Sequence, residues 1–514
     1  MDATFFTDEY LKLCESPGIG EAKASYPESA RMPVRERLVR CFWFDQNFST
    51  ADLRVCDGRK LRVLSPGWWN LEAGPDFRSA VIRLANEPIV KGDVELHVDA
   101  SAWYSHGHHQ DPTYDSVILH VALRNDTGKE SIRNAAGRTV PQFILEPYLT
   151  AGVGELAEAV NPEDYPEVSD SSVGPCSVAI REKAVDGRWL GLFFDYAGDQ
   201  RALARMRRWE HLLDTIGCEA AIQCGVMEAL GFKKNKSQFA LLARLAPPDK
   251  LKPILAGHPH DEKRLRIEAA LFGLSGLLDQ ADAADKALIP DTDPEAAAYV
   301  DSIRGRWAEL GELFPEGGMD AKQWMFSGSR PVNFPPRRIA AAAAFLSQHM
   351  ERGLLHALLS CLPPETGRLR QKDITAARKN FESLFTGPES GFWGARCTFG
   401  GKRMARPVNL VGKDRAALIL VNVVIPVLLL QARKNNDAGL EHLLHSMYMK
   451  LPRLPSTSVE TSMIQRIFAG DRQAAKIISN ARRQQGLYQV FKDFCEKDDR
   501  GCRRCVLLAE LNKK

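Results

Sequence analysis

The sequence predicts an α+β protein, with a mixed α/β domain at its N-terminal end followed by a mainly α-helical C-terminal region. Three observations predict it. Between about Leu53 and Leu149, apolar runs of strand length are broken by Gly, Pro, Asn and Asp. Beyond about residue 185, apolar residues recur at helical spacing over long stretches. At 514 residues the chain also exceeds one ordinary core, so several domains are expected. The divisions fall at 1–150 for the mixed domain, 151–185 for a linker or loop rich in Pro, Ser and acids, and 186–514 for one or two helical domains.

Taken in order, residues 1–30 form a polar lead-in. Arg35–Phe44 (RERLVRCFWF) has apolar residues at helical spacing and predicts a helix. LRVCDGRKLRVLS predicts a hairpin around Asp57-Gly58. DFRSAVIRL, DVELHV and VILHVAL each predict a strand, and PQFILEPYL closes the domain. Helical periodicity then covers Gln200–Leu230, Asp261–Leu278, Pro294–Leu313, Arg338–Leu362, Ile374–Leu384 and Ala416–Ala432. One short echo stands out. Arg330-Pro331-Val332-Asn333 recurs as Arg406-Pro407-Val408-Asn409, each before an apolar helix, where Pro and Asn suit a helix start and cap.

Composition narrows the function classes. With 44% hydrophobic and 26% charged residues the chain is of the globular type. A net charge of +3 means that any basic surface must be local. The longest apolar run, Ala416–Leu430, is short for a bilayer and is interrupted by Asn422 and Pro426, so a buried helix is expected and no membrane partner. MDATFFTDEYLKLCE has no basic segment leading into an apolar core, so no secretory signal is expected. The 11 cysteines are therefore expected to be mostly reduced, and the location cytoplasmic.

The chemistry concentrates between Asp76 and His120, where five of the 12 histidines fall. On the strand DVELHV, side chains alternate, so Asp93, Glu95 and His97 share one face and Val94, Leu96 and Val98 the other. Asp76 opens the strand before it. A carboxylate at one strand start, with Glu and His on the next, can converge on one divalent cation. Carboxylates suit Mg²⁺ or Mn²⁺, and an imidazole extends the choice towards Fe²⁺ or Zn²⁺. A half-exposed strand with one charged face accounts for the same alternation. His106, His108 and His109 with Asp111, in SHGHHQD, form a second candidate metal or phosphate site, or simply a polar loop. His120, between Ile118 and Ala122, reads as a satisfied core histidine.

From Glu36 to Leu123 these residues resemble the PD-(D/E)xK nuclease superfamily. Pro75-Asp76 and Glu95-Leu96-His97 match its motif, and Glu36 lies on the preceding helix. The resemblance implies a restriction-endonuclease-like core of a helix, three strands, a helix and a further strand. It also implies a metal held by Asp76, Glu95 and the Leu96 carbonyl, with the next residue orienting or deprotonating the attacking water. The motif's Lys is His97 here, which titrates near neutral pH where Lys is a fixed cation. Activity is expected to rise with pH if His97 is a base and to fall if its cationic form is needed. A second resemblance covers most of the chain. WWNLEAGPDFRSAVI, GDVELHVDASAWYSHGHHQDPTYDSVILHV and RPVNFPPRRIA are similar to a bacterial family known as domain of unknown function 2851, which implies a shared fold and no particular activity.

Other features carry chemistry too. Cys495, Cys502 and Cys505 form C-x6-C-x2-C, which resembles the start of the iron–sulfur loop of endonuclease-III-like DNA glycosylases. The position of that loop's fourth Cys is Leu511 here, so Zn²⁺ or an iron–sulfur cluster would need Cys397 or a His to complete it. Lys233-Lys234-Asn235-Lys236, Arg205–Arg208, Arg337-Arg338, Arg482-Arg483 and Arg503-Arg504 are candidate phosphate contacts, although solvated helix faces explain each run equally. No P-loop, G-x-G-x-x-G after a strand, G-x-S-x-G elbow or H-E-x-x-H occurs. Three readings stand. The first is a metal-dependent nuclease-like phosphodiesterase whose helical region binds nucleic acid. The second is a non-catalytic binding or scaffold protein, and the third a metal-dependent small-molecule hydrolase.

Overall fold

The computed structural model describes residues 6–15, 34–46, 48–49, 52–85, 87–149, 152–160, 165, 173–183, 185–232, 234–278, 293–315, 317–326, 329–363, 370–386, 391–495, 502 and 504–513. Most of the expected lead-in, together with Lys233 and Arg503, lies outside them, while the stretch expected as a linker or loop, 151–185, holds two helices, Val153–Ala159 and Pro175–Glu182. The chain forms two compact units. One, the sheet unit, gathers Glu9–Phe193, Ser456–Ile477 and Leu487–Lys514. The other, the helical unit, gathers Met1–Asp8, Phe194–Pro455 and Ile478–Gly486. Spatial grouping thus departs from sequence order, because C-terminal segments join the sheet. Tyr10 donates to Asp493 at 3.0 Å, and Arg35 donates to the Lys492 carbonyl at 2.6 Å.

The sheet unit is built on seven strands: β1 Leu61–Ser65, β2 Trp68–Trp69, β3 Phe77–Leu84, β4 Val90–Asp99, β5 Val117–Arg124, β6 Ser131–Arg133 and β7 Thr139–Ile144. Their order is β1-β3-β4-β5-β7-β6, with β2 beside β3. β4–β5 and β5–β7 are parallel and the other pairs antiparallel. A parallel pair needs a crossover. The one from β4 to β5 holds a short helix, Ala102–Ser105, and two 3₁₀ turns, His108–Gln110 and Pro112–Tyr114. The predicted first helix is Glu36–Phe44. Its Val39, Phe42 and Trp43 are buried with Phe77, Leu96, Val121 and Phe143. The expected hairpin is a tight turn at Gly58 (φ 88°) with a single bridge, Arg54 to Lys60. The end of PQFILEPYL leaves the sheet as a 3₁₀ turn, Glu146–Tyr148.

Both faces of β4 are covered, so the half-exposed reading of that strand does not hold. Val94 and Leu96 enter the apolar core, and Glu95 (5% exposed) and His97 (1%) are as buried on the other side. The register pairs Glu95 with His120 and His97 with Ala122. Gly92 precedes it, and a Cβ there would collide with Ile118 and the Ser116 carbonyl.

In the helical unit the predicted helices are present, with two breaks that the periodicity does not show, and Lys236–Leu245 and Ala438–Lys450 are helices beyond those predicted. Gly217 (φ 80°) parts Gly187–Ile216 from Cys218–Leu230, and Gly353 (φ 99°) parts Pro335–His349 from Leu354–Leu359. Both glycines hold a left-handed conformation costly to other residues. Asn422 and Pro426 do not interrupt their helix. It runs from Lys413 to Lys434 and is the one described segment long and apolar enough to cross a membrane, with 72% of its apolar window buried in the protein. It widens to a π turn over Leu420–Val424. Pro426 has no N–H to give the Asn422 carbonyl, and Trp209 Nε1 supplies the donor at 3.3 Å.

The Arg337-Arg338 pair is no phosphate contact, being 0% and 5% exposed. Arg337 donates to the carbonyls of Trp393, Arg396, Val408 and Asn409. Arg338 donates to the carbonyls of Leu410 and Val332 and to Asn333 Oδ1. This explains the repeated Arg-Pro-Val-Asn. Neither copy caps a helix with a side chain; the first presents oxygens to Arg338 and the second to Arg337. Arg482 and Arg483 are likewise engaged, with Asp199 and Asp195, and Arg208 with Glu228.

Candidate metal centre

Four elements converge at the middle of β4. β4 supplies Glu95 and His97, the residue before β3 is Asp76, the first helix brings Glu36 and Arg40 one turn apart, and the crossover brings His106 and His108. Gly107 (φ 79°) sits between the two histidines and turns the chain so that both reach the site. One ligand nitrogen from each of His97, His106 and His108 lies within 4.8 Å of the others. Glu95 Oε1 is 3.3 Å from His108 Nε2 and 3.7 Å from His97 Nε2, and Glu36 Oε1 is 3.9 Å from His97 Nε2. His106 is exposed, so the cluster meets solvent on that side.

The tautomers follow from the hydrogen-bond chain behind the site. Gln142 donates through Nε2 to the Lys129 carbonyl at 2.9 Å, which leaves its Oε1 facing His120 Nδ1 at 3.1 Å. His120 Nδ1 must therefore carry the proton, and its Nε2 accepts from His97 Nδ1–H at 2.9 Å. His97 Nε2 is left as a bare lone pair. It is buried without a hydrogen-bond partner, as is His108 Nε2, and a carboxylate faces both. Lone pairs and a carboxylate do not coexist in a buried space unless a proton or a cation lies between them.

The acid–base state agrees. Burial, and then the Asp76 carboxylate, push Glu95 up to about 9. Burial pushes Asp76 up to about 7 against the pull of Arg40. Burial and the neighbouring imidazoles hold His97 far below its ordinary value, so the cationic alternative to Lys is closed to it. His108 and His120 are both held down to about 4, chiefly by burial. The polypeptide alone thus keeps His97 and His108 neutral and Glu95 protonated, the state that a divalent ion would exchange for deprotonated ligands.

The predicted residues divide accordingly. Glu95, His97, His106 and His108 come together, with Glu36 at the edge. Asp76 is beside them but committed: Arg40 lies 2.5 Å from its Oδ1, and Leu96 N–H donates to its Oδ2 at 3.0 Å, while its own N–H donates to Glu95 Oε2 at 3.0 Å. His109 and Asp111 do not join. Asp111 caps the next turn by accepting from Thr113 N–H, and His109 packs beside Tyr104 with ring centres 5.1 Å apart. The two candidate sites foreseen separately therefore fall together, led by imidazole. Asp93 is structural, held by Arg78, Ser79 and Ser116. Sequence reasoning missed Arg40, Gln142, Trp103 and Tyr114. Trp103 is buried against His108 and His120, and the Tyr114 ring centre is 3.9 Å from that of His108. Arg40 had a signal, being four residues from Glu36 on one helix face. Gln142 had one as well, a polar residue among the apolar Val140, Phe143 and Ile144 of its strand.

The fold and site define an α+β protein whose sheet carries a buried histidine–carboxylate centre. A family model described as "Protein of unknown function (DUF2851)" matches residues 36–454, and the chain belongs to that family. No curated protein and no solved structure matches it.

Proposed function

We propose that this protein is a metal-dependent, nuclease-like phosphodiesterase, with a transition metal held by His97, His106, His108 and Glu95. The observation that carries the reading is the bare, buried Nε2 of His97 opposite Glu95. Three imidazoles and one carboxylate suit Zn²⁺, Mn²⁺ or Fe²⁺ better than Mg²⁺. A metal there supplies Lewis acidity and a bound water of lowered pKa. The chain's own groups do the rest. Glu95, with its raised pKa, holds or accepts a proton at the site. His120 and Gln142 fix the His97 tautomer. Arg40 is about a third exposed, and its guanidinium has more N–H donors than Asp76 uses, so it can meet a phosphate oxygen. Support for nucleic acid as substrate comes from the arrangement: a helix with Glu36, then Asp76 before β3, Glu95 on β4, and a parallel β5 after a crossover.

One observation favours the second reading, a metal-binding protein without phosphodiesterase activity. Asp76, the carboxylate that the nuclease resemblance makes a metal ligand, is neutralised by Arg40. The test is cleavage of single-stranded and duplex DNA and of RNA with Mn²⁺, Zn²⁺ or Mg²⁺, beside metal analysis of the same protein. Cleavage that requires metal and disappears in Glu95→Ala and His97→Ala is the expected result. Stoichiometric metal without cleavage moves the assignment to the binding reading, and absence of bound metal defeats both.

A further inference from the structure

Away from the histidines, four cysteines gather within the sheet unit. Cys176 lies in helix Pro175–Glu182, Cys495 ends the π turn Phe491–Cys495, and Cys502 and Cys505 precede helix Val506–Lys513. Helix Pro175–Glu182 packs against both Val506–Lys513 and Ser458–Phe468, and Lys183 Nζ donates to the Leu511 carbonyl at 2.8 Å. Arg466 stands between the thiols. Its Nη2 is 3.2 Å from Cys502 Sγ, and its carbonyl is 3.9 Å from Cys176 Sγ. Cys505 N–H donates to the Cys502 carbonyl at 3.2 Å, closing the turn that carries both. All four are free thiols, and Cys176 and Cys505 are buried. Burial, with Cys505 and Cys502 close by, pushes the Cys176 thiol up to about 12. Burial, with Cys505 and Cys176 close by, raises that of Cys495. The remote partner expected for the C-x6-C-x2-C motif is therefore Cys176. Cys397 belongs to the helical unit, where its sulfur is 4.0 Å from that of Met404.

We propose that Cys176, Cys495, Cys502 and Cys505 hold an iron–sulfur cluster. Four thiols drawn from three separate chain segments around Arg466 make a Cys₄ ligand set. Spacing chooses the occupant. One tetrahedral Zn²⁺ with Zn–S bonds of about 2.3 Å needs its sulfurs roughly 3.8 Å apart. Among the described residues no three of these sulfurs lie within 4.8 Å of one another. A cluster, whose thiolates bind different irons, spans the wider gap. It would fasten the C-terminal helix Val506–Lys513 to Pro175–Glu182, two segments far apart in sequence.

The experiment is anaerobic purification of the full chain, with iron, acid-labile sulfide and zinc measured together and the visible spectrum recorded before and after dithionite. Equal amounts of iron and sulfide and a visible band that bleaches on reduction are expected. Cys176→Ser should lose the acid-labile sulfide and the visible band, while Cys397→Ser and His97→Ala keep both, which separates this site from the histidine centre. Should Cys176→Ser fail to fold, thiol alkylation of the wild type decides. Cys176, Cys495, Cys502 and Cys505 should be protected together until iron is chelated, and Cys397 should be indifferent to chelation. Zinc without sulfide overturns the cluster, and four thiols whose labelling ignores chelation overturn the site.

Discussion

The two units bury polar groups in opposite ways. In the helical unit a buried cation is met by acceptors. Arg337 takes four carbonyls, and Arg482 takes Asp199 with Nε–Oδ1 at 2.7 Å. In the sheet unit, His97 Nε2 and His108 Nε2 are buried beside Glu95 without a hydrogen bond. The first arrangement is complete within the polypeptide and reads as architecture. The second is incomplete and reads as a place kept for something else. A buried polar group is therefore informative less by its presence than by whether its neighbours satisfy it.

The largest expected effect tests the architectural side. Arg337→Met leaves several buried carbonyls without donors and should cost about 3–5 kcal/mol, seen as a lower urea midpoint. A cost near zero would show that those carbonyls find other donors and would blur the contrast. Next comes the incomplete side. His97→Gln should weaken Zn²⁺ or Mn²⁺ binding by at least about 100-fold while changing the melting temperature of the metal-free protein little, as calorimetry and thermal scans would report. Gln142→Leu leaves every ligand in place but frees the His97 tautomer, and should cost roughly 10–100-fold in metal affinity. An unchanged affinity there would refute the relay.

pH sharpens the comparison further. Asp76 and Glu95 are raised, to about 7 and about 9, so the stability they contribute is present below their ordinary values and lost as pH rises through 7 and 9. His108 and His120 are lowered to about 4, so their contribution is present above about 6.5 and lost as pH falls through 4. Metal affinity should climb with pH up to about 9, by at most about tenfold per unit for the one proton leaving Glu95. Proton release on binding, measured by calorimetry in buffers of different ionisation enthalpy, checks this. The smallest effect belongs to the helical unit. Trp209→Phe removes the donor to the Asn422 carbonyl and should cost about 1 kcal/mol.

Much of this was legible because it is local. The strands, the first helix and most of the later helices follow from side-chain periodicity, and Glu95 and His97 were placed on one face by alternation alone. What stayed hidden depends on contacts between distant residues. Nothing local says that Asp76 answers to Arg40, that His106 and His108 fold back onto His97 while His109 turns away, or that Arg337 and Arg338 point inward. The Arg-Pro-Val-Asn echo was visible but its cause was not, since a carbonyl's partner leaves no mark in the sequence around it. Cys176 was likewise invisible as a companion of Cys495, Cys502 and Cys505.

Gly92 constrains how the strand that carries the site can vary over evolutionary time or in a designed library. It admits no side chain where β4 first meets β5, and so anchors the start of a pairing that shifts register once before it sets Glu95 opposite His120. An insertion of one residue between Gly92 and Glu95, with that anchor kept, would turn Val94, Leu96 and Val98 towards the histidine loop and drive Glu95 and His97 into the apolar core. Substitutions on this strand are graded, each trading one ligand type for another. Changes of length are all-or-none, so diversity here should accumulate in residue identity and almost never in spacing.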